Sequence, residues 1–179
     1  MIDITELEDF VRPLYGKNDE MHDLSHAVRI LRAAKMLARD YASKIDLDLV
    51  VFGSYFHGLV VDHGGEIAGF LRSLNLSEER AHLAMKVTRE SLKEEVPETL
   101  EGKIVHDAHL IEGGRTFMVV KSLVTGSLRG QTLEETIEYV EKSVIGRFSC
   151  YLPRSQEIYA EKERFAEDFF EQLRRDLTT

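Results

Sequence analysis

The chain has 179 residues, enough for one domain with a full hydrophobic core, and its composition is that of an ordinary globular protein, 43% hydrophobic and 31% charged. Its formal net charge of −9 excludes a broad duplex-binding surface, which needs clustered Lys and Arg, while leaving room for a small basic pocket that takes an anion. The single cysteine, Cys150, excludes an internal disulfide and a thiolate zinc cluster, so any metal site must draw on His, Asp and Glu.

No apolar stretch is long enough to span a bilayer, and the N-terminal MIDITELEDF is acidic where a signal peptide is basic and then apolar. The expectation is a cytoplasmic protein. Apolar residues recur every three or four positions almost throughout, and period-two alternation is nearly absent. This predicts an all-α fold, a single-domain bundle of about nine helices over residues 1–179.

Thr5-x-x-Glu8 reads as a capping box opening a first helix to about Tyr15, followed by a Gly16-Lys17-Asn18-Asp19 loop. Asp23 caps a second helix to about Ala42. A third follows Asp46 and ends between His57 and Leu59, and a fourth follows Asp62 and stops at Leu74-Asn75. Ser77 caps a fifth helix. Pro97 suits the first position of a sixth, which runs through Leu110 and stops at Gly113-Gly114. A seventh covers Arg115 to Leu128, Thr132-x-x-Glu135 opens an eighth to about Gly146, and Ser155 opens a long, charged final helix. No linker or repeat interrupts the series, which predicts no second domain.

Three polar residues fall on faces that the pattern assigns to the core. On the second helix His26 heads the stripe Ile30, Ala33, Leu37 and Tyr41, while Arg29, Arg32, Lys35 and Arg39 take the other side. On the sixth, Asp107 sits at the centre of the stripe Leu100, Ile104, Leu110 and Ile111. His57 closes LVVFGSYFH, a run apolar nearly all round. Each alone reads as a hydrogen-bonded core residue. Together, two imidazoles and a carboxylate directed into one core are the ligand set of a divalent metal, which would offset the cost of burying them.

The stretches MHDLSHAVRIL, YFHGLVV and LEGKIVHDAHLIEGG resemble the metal-binding signature of the HD superfamily of metal-dependent phosphohydrolases, which is a histidine, a His-Asp doublet and a distant aspartate on an all-helical frame. The match runs from His22 to Gly114, about half the chain. The resemblance implies that His26, His57 and Asp107 hold a divalent ion (Mn, Fe, Co, Ni, Zn or Mg) and that His63 serves a second metal. Gly58 stands where the family has the doublet's aspartate, which binds metal or positions the attacking water. Asp62 or Glu90 is then expected to take the water-positioning role. Asp62 reads equally as an N-cap, and Glu90 as an exposed acid.

The implied reaction is hydrolysis of a phosphate ester or anhydride of a small molecule, with a nucleotide among the substrates that suit the site. Arg29 and Arg115 are expected to bind phosphate, with Lys121 and Arg129 as further cations, and His109 to touch substrate from a face other than that of Asp107. His22 is a minor candidate for support of His26, and His82 and His106 are expected at the surface. Two other readings stay open. One is a catalytically impaired module that binds a metal or phosphorylated ligand without turnover, as Gly58 implies. The other is a helical interaction protein whose acidic last helix mediates a homodimer. None of these readings calls for extended nucleic acid or a membrane as partner.

Overall fold

The computed structural model describes residues 2–16, 19 and 21–178; Lys17 and Asn18 of the expected first loop lie outside the described residues. Nine α-helices and no strand occur among the described residues: α1 (Ile4–Tyr15), α2 (Leu24–Ala38), α3 (Leu47–Phe56), α4 (Val60–Ser73), α5 (Glu78–Glu90), α6 (Leu100–Ile111), α7 (Phe117–Leu128), α8 (Leu133–Ser143) and α9 (Pro153–Leu177). They fall into two compact units, Met1–His109 and Leu110–Thr179. The boundary lies inside α6, so no glycine- or proline-rich stretch marks it in the sequence.

The first unit is built around α3, whose residues Leu49 to Phe56 are all buried. A helix that is apolar all round must be covered on every side, and α1, α2 and α5 pack on it. Gly53 permits the closest of these approaches, since a Cβ there would stand 2.9 Å from a Val87 methyl and 3.1 Å from one of Val105. Beside it, Phe10 of α1 stacks on Phe70 of α4 at 4.1 Å between centroids, and both meet the edge or face of Phe56.

Several helix starts differ from the sequence expectation, each for a local reason. Asp3, not the Thr5–Glu8 box, caps α1 by accepting from the amides of Thr5 and Glu6; Glu8 instead accepts from the Tyr55 hydroxyl at 2.6 Å. The fourth helix starts at Val60, ahead of Asp62, and bends at His63 (φ −120°, ψ 19°), so Asp62 is not its cap. The sixth starts at Leu100 rather than Pro97, because the Glu90 carboxylate takes the amides of Glu98 and Thr99 and the Thr99 hydroxyl caps the Gly102 amide at 2.9 Å. The ninth starts at Pro153, the first-turn position where proline lacks nothing, with Ser155 Oγ donating to the Leu152 carbonyl. The Thr132–Glu135 capping box of α8 forms with both of its bonds.

In the second unit α7, α8 and α9 pack together. Lys162 of α9 is 3% exposed and donates to the Leu110 and Glu112 carbonyls at 2.9 and 2.7 Å, so its ammonium closes the end of α6. Beside it, Lys121 pairs with the buried Glu112 carboxylate at 2.7 Å.

Burial is the main cause that pulls Lys162 down from 10.5 to about 8; Lys121 adds to it, while Glu112 and Cys150 oppose it. Between those values the unfolded chain holds a proton that the native chain has released. Native stability therefore rises with pH across that window. Relative to Lys162→Met, the wild type should gain up to about 3 kcal/mol between pH 8 and pH 10.5. Urea melts of both proteins at the two pH values measure it, and a difference that stays constant contradicts it.

Candidate metal centre

Asp23 starts the site. Its carboxylate caps α2 by accepting from the Ser25 amide at 2.9 Å and the His26 amide at 3.3 Å, which fixes His26 in the first turn with its ring buried. The ring of His22 lies 5.6 Å from that of His26, edge to face. Asp19 accepts from the Met21 and His22 amides and holds His22 Nδ1 at 2.8 Å. Desolvation pushes Asp19 upward, but the His22 ring and these amides outweigh it and hold the carboxyl below its ordinary range.

His57 is placed by a turn. Helix α3 ends at Phe56, His57 takes φ −52° and ψ 128°, Gly58 takes φ +77°, and the Leu59 amide bonds the Phe56 carbonyl at 3.0 Å. That is a type II turn with His57 and Gly58 in its two central positions, and the second of these requires positive φ, which glycine adopts without strain. The glycine therefore has a backbone reason to be there. A Cβ at this position would meet nothing within 4 Å.

Two contacts hold the turn. The Tyr15 hydroxyl, buried and raised well above its ordinary pKa by desolvation and by Asp23, shares its proton between the carbonyls of Tyr55 and His57, each 2.9 Å away. His57 Nδ1 lies 2.8 Å from Ser91 Oγ, whose own proton goes to the Thr88 carbonyl at 2.6 Å. Since Ser91 has spent its only proton, it must accept from His57. Nδ1 is thus a donor, which in the neutral imidazole leaves the lone pair on Nε2.

The third ring belongs to His109, near the end of α6. Its centroid lies 4.2 Å from that of His57 and 5.4 Å from that of His26, and the last two rings are 5.3 Å apart. One ligand atom from each of His26, His57 and His109 lies within 4.8 Å of the other two. His109, expected to touch substrate away from the metal ligands, thus stands among the imidazoles. Asp107, expected as the third ligand, is wholly buried two residues earlier and carries His106 Nδ1 at 3.1 Å from its Oδ1. His106 itself is 1% exposed, which corrects its expected surface position. His82 is exposed.

Glu90 is buried rather than exposed, and its carboxylate is committed to the Glu98 and Thr99 amides and the Thr99 hydroxyl. It also packs on Gly102, where a Cβ would fall 1.9 Å from Oε2. Asp62 is exposed on α4, and half-buried His63 holds Glu66 at 3.2 Å. Arg29 donates to Ser25 Oγ at 2.6 Å and to the Met21 carbonyl at 3.2 Å. Arg115, in the second unit, is exposed with its guanidinium 4.9 Å over the Phe165 ring. Sequence patterning missed Ser91 and Tyr15 altogether, since neither the hydroxyl–imidazole pair nor the tyrosine clasp has a signature along the chain.

The donor set fits a divalent transition metal. An ion bound to imidazole at about 2.0–2.1 Å keeps its nitrogens roughly 3–3.5 Å apart, so ligand atoms already within 4.8 Å need only small movements to converge. Three imidazole nitrogens suit Mn, Fe, Co, Ni or Zn better than Mg, which prefers oxygen.

No family model matches the sequence, and no curated protein matches it either. Solved structures do. Bacillus subtilis YpgQ in complex with ADP superposes with a TM-score of 0.75 over 97% of this chain and 95% of its own, at 16% identity. An HD-superfamily hydrolase from Bacillus thuringiensis gives 0.75 over 98% and 97%, at 15% identity. A Lactobacillus plantarum protein gives 0.80 over 99% of both chains, at 14% identity. The chain therefore shares the all-helical fold of these structures, one of them an HD-superfamily hydrolase, as the motif resemblance implies.

Removing the Ser91 hydroxyl takes away the acceptor that fixes His57. Ser91→Ala should weaken Co2+ or Zn2+ binding by about 10- to 100-fold. In the metal-free protein the His57 ring nitrogens should show a mixture of tautomers by 15N NMR. Unaltered affinity together with an unaltered ring spectrum rules out this role for Ser91.

Proposed function

We propose that the chain is a metal-dependent phosphohydrolase that cleaves a phosphate ester or anhydride of a small molecule, with nucleotides as the first class to test. The observation that carries this reading is the cluster of His26, His57 and His109 within a fold shared with an HD-superfamily hydrolase. Support for a nucleotide comes from YpgQ, which was solved with ADP.

In this reading the three imidazoles hold the ion, and Asp107, buried on the same helix as His109, supplies the carboxylate of the set. A divalent ion in such a site supplies Lewis acidity toward water and a phosphoryl oxygen. The protein's own groups do the rest. Ser91 and Tyr15 keep His57 in one tautomer and one place, so the donor set is ready before ligand arrives. Arg29, near His26 on α2, takes phosphate charge. Because the Glu90 carboxylate is occupied by α6, the task of taking the proton of the attacking water falls to Asp62, with His63 beside it for a second ion.

Gly58 favours one further reading, a module that binds metal and nucleotide without turnover. The two separate in one series of measurements on protein purified without a nickel column. Reconstituted protein should retain at least about one equivalent of transition metal and hydrolyse a member of a panel of nucleotides and aryl phosphates. Less than about a tenth of an equivalent overturns both readings, and full occupancy without turnover leaves the binding module.

Gly58→Asp sharpens the comparison. Its Cβ has open space, and its positive φ should cost only about 1–2 kcal/mol of stability. The variant should fold and turn over substrate faster than wild type. A folded variant no faster than an active wild type means that the missing carboxylate has been replaced elsewhere.

A further inference from the structure

Helices α4 and α5 run from Val60 to Ser73 and from Glu78 to Glu90, and a cleft of about 340 Å³ opens between them. Its walls are apolar: Leu71 and Ala68 come from α4, Leu76 from the connection, and Ala81 and Met85 from α5. Short side chains at Ala68 and Ala81 leave the room, while fully buried Leu71 anchors the floor in the core. The volume is at the lower end of what holds a small organic molecule.

The rim is basic in a chain that is acidic overall. Arg72, Arg89 and His82 line the cleft, against one carboxylate, Glu78. Among the described residues neither Arg72 nor Arg89 has a carboxylate within 4.0 Å. Their neighbours on α5 behave differently. Arg80 pairs with Asp46 and Asp48, and Lys86 pairs with Glu98. The guanidiniums of Arg72 and Arg89 beside one apolar hollow give a small anion both a charge partner and a surface for an apolar body.

We infer that the α4–α5 cleft is a second binding site, separate from the histidine cluster, for a small amphiphilic anion. Its apolar body lies on Ala68, Leu76 and Met85, and its phosphate or carboxylate group is held by Arg72 and Arg89. A guanidinium presents a planar fork of donors to either head group, and the apolar walls beside it take up the ligand's apolar body.

Octyl phosphate and octanoate are the probes, with 1-octanol and inorganic phosphate as controls, followed by NMR on the full chain in the presence of EDTA. Both amphiphiles should bind with dissociation constants of about 0.1–1 mM and shift the resonances of α4 and α5, with each control at least about tenfold weaker. The better of the two identifies the head group. The double variant R72Q/R89Q should weaken binding by about tenfold or more. Ala81→Phe, which fills the cleft and leaves both arginines in place, should abolish it. Equal binding of 1-octanol, full affinity in either variant, dependence on metal, or no shift at 5 mM (about five times the upper estimate) would each overturn the proposal.

Discussion

The hydrogen bond from His57 to Ser91 carries more consequences than any other contact in the first unit. One proton on one hydroxyl, already given to the Thr88 carbonyl, leaves Ser91 only a lone pair to offer, so the imidazole must be the donor. In the neutral ring that choice puts the lone pair on Nε2. The tautomer follows from the satisfaction of a buried helix end, and α5 thereby takes part in the site without contributing a ligand.

The same turn explains the departure from the resembled signature. Gly58 occupies the one central position of a type II turn where positive φ is required, and its turn follows directly on a helix whose every residue from Leu49 onward is buried. An aspartate there would trade backbone ease for a ligand. This chain keeps the backbone, and places a third imidazole, His109, within reach of the other two. Three imidazole nitrogens stand together there, a donor set that suits a transition metal better than Mg.

Much of the fold was legible. Helical periodicity was strong because most helices bury one continuous stripe, and caps such as Asp23, Asp46, Ser77 and Thr132 are local, made within a few residues of the helix start. The misread starts have separate causes. Asp3 and Glu90 take two termini as competing acceptors, the amides held by Glu90 lying eight and nine residues away, while α4 starts directly out of the turn at Leu59 without a side-chain cap. The division into two units had no marker because a helix crosses the boundary.

By itself, the sequence determined that this is a helical protein with His26, His57 and Asp107 turned inward, because burial stripes are a property of residue spacing along one helix. Which buried groups meet is a property of helices separated by tens of residues, and only the tertiary structure decided it. It brought His109 into the cluster, gave Ser91 to His57, and set Glu90 to hold the start of α6. Spacing within a helix fixes direction, but the distance between two side chains on different helices depends on how closely those helices pack, and that is decided by bulk such as the missing side chain of Gly53.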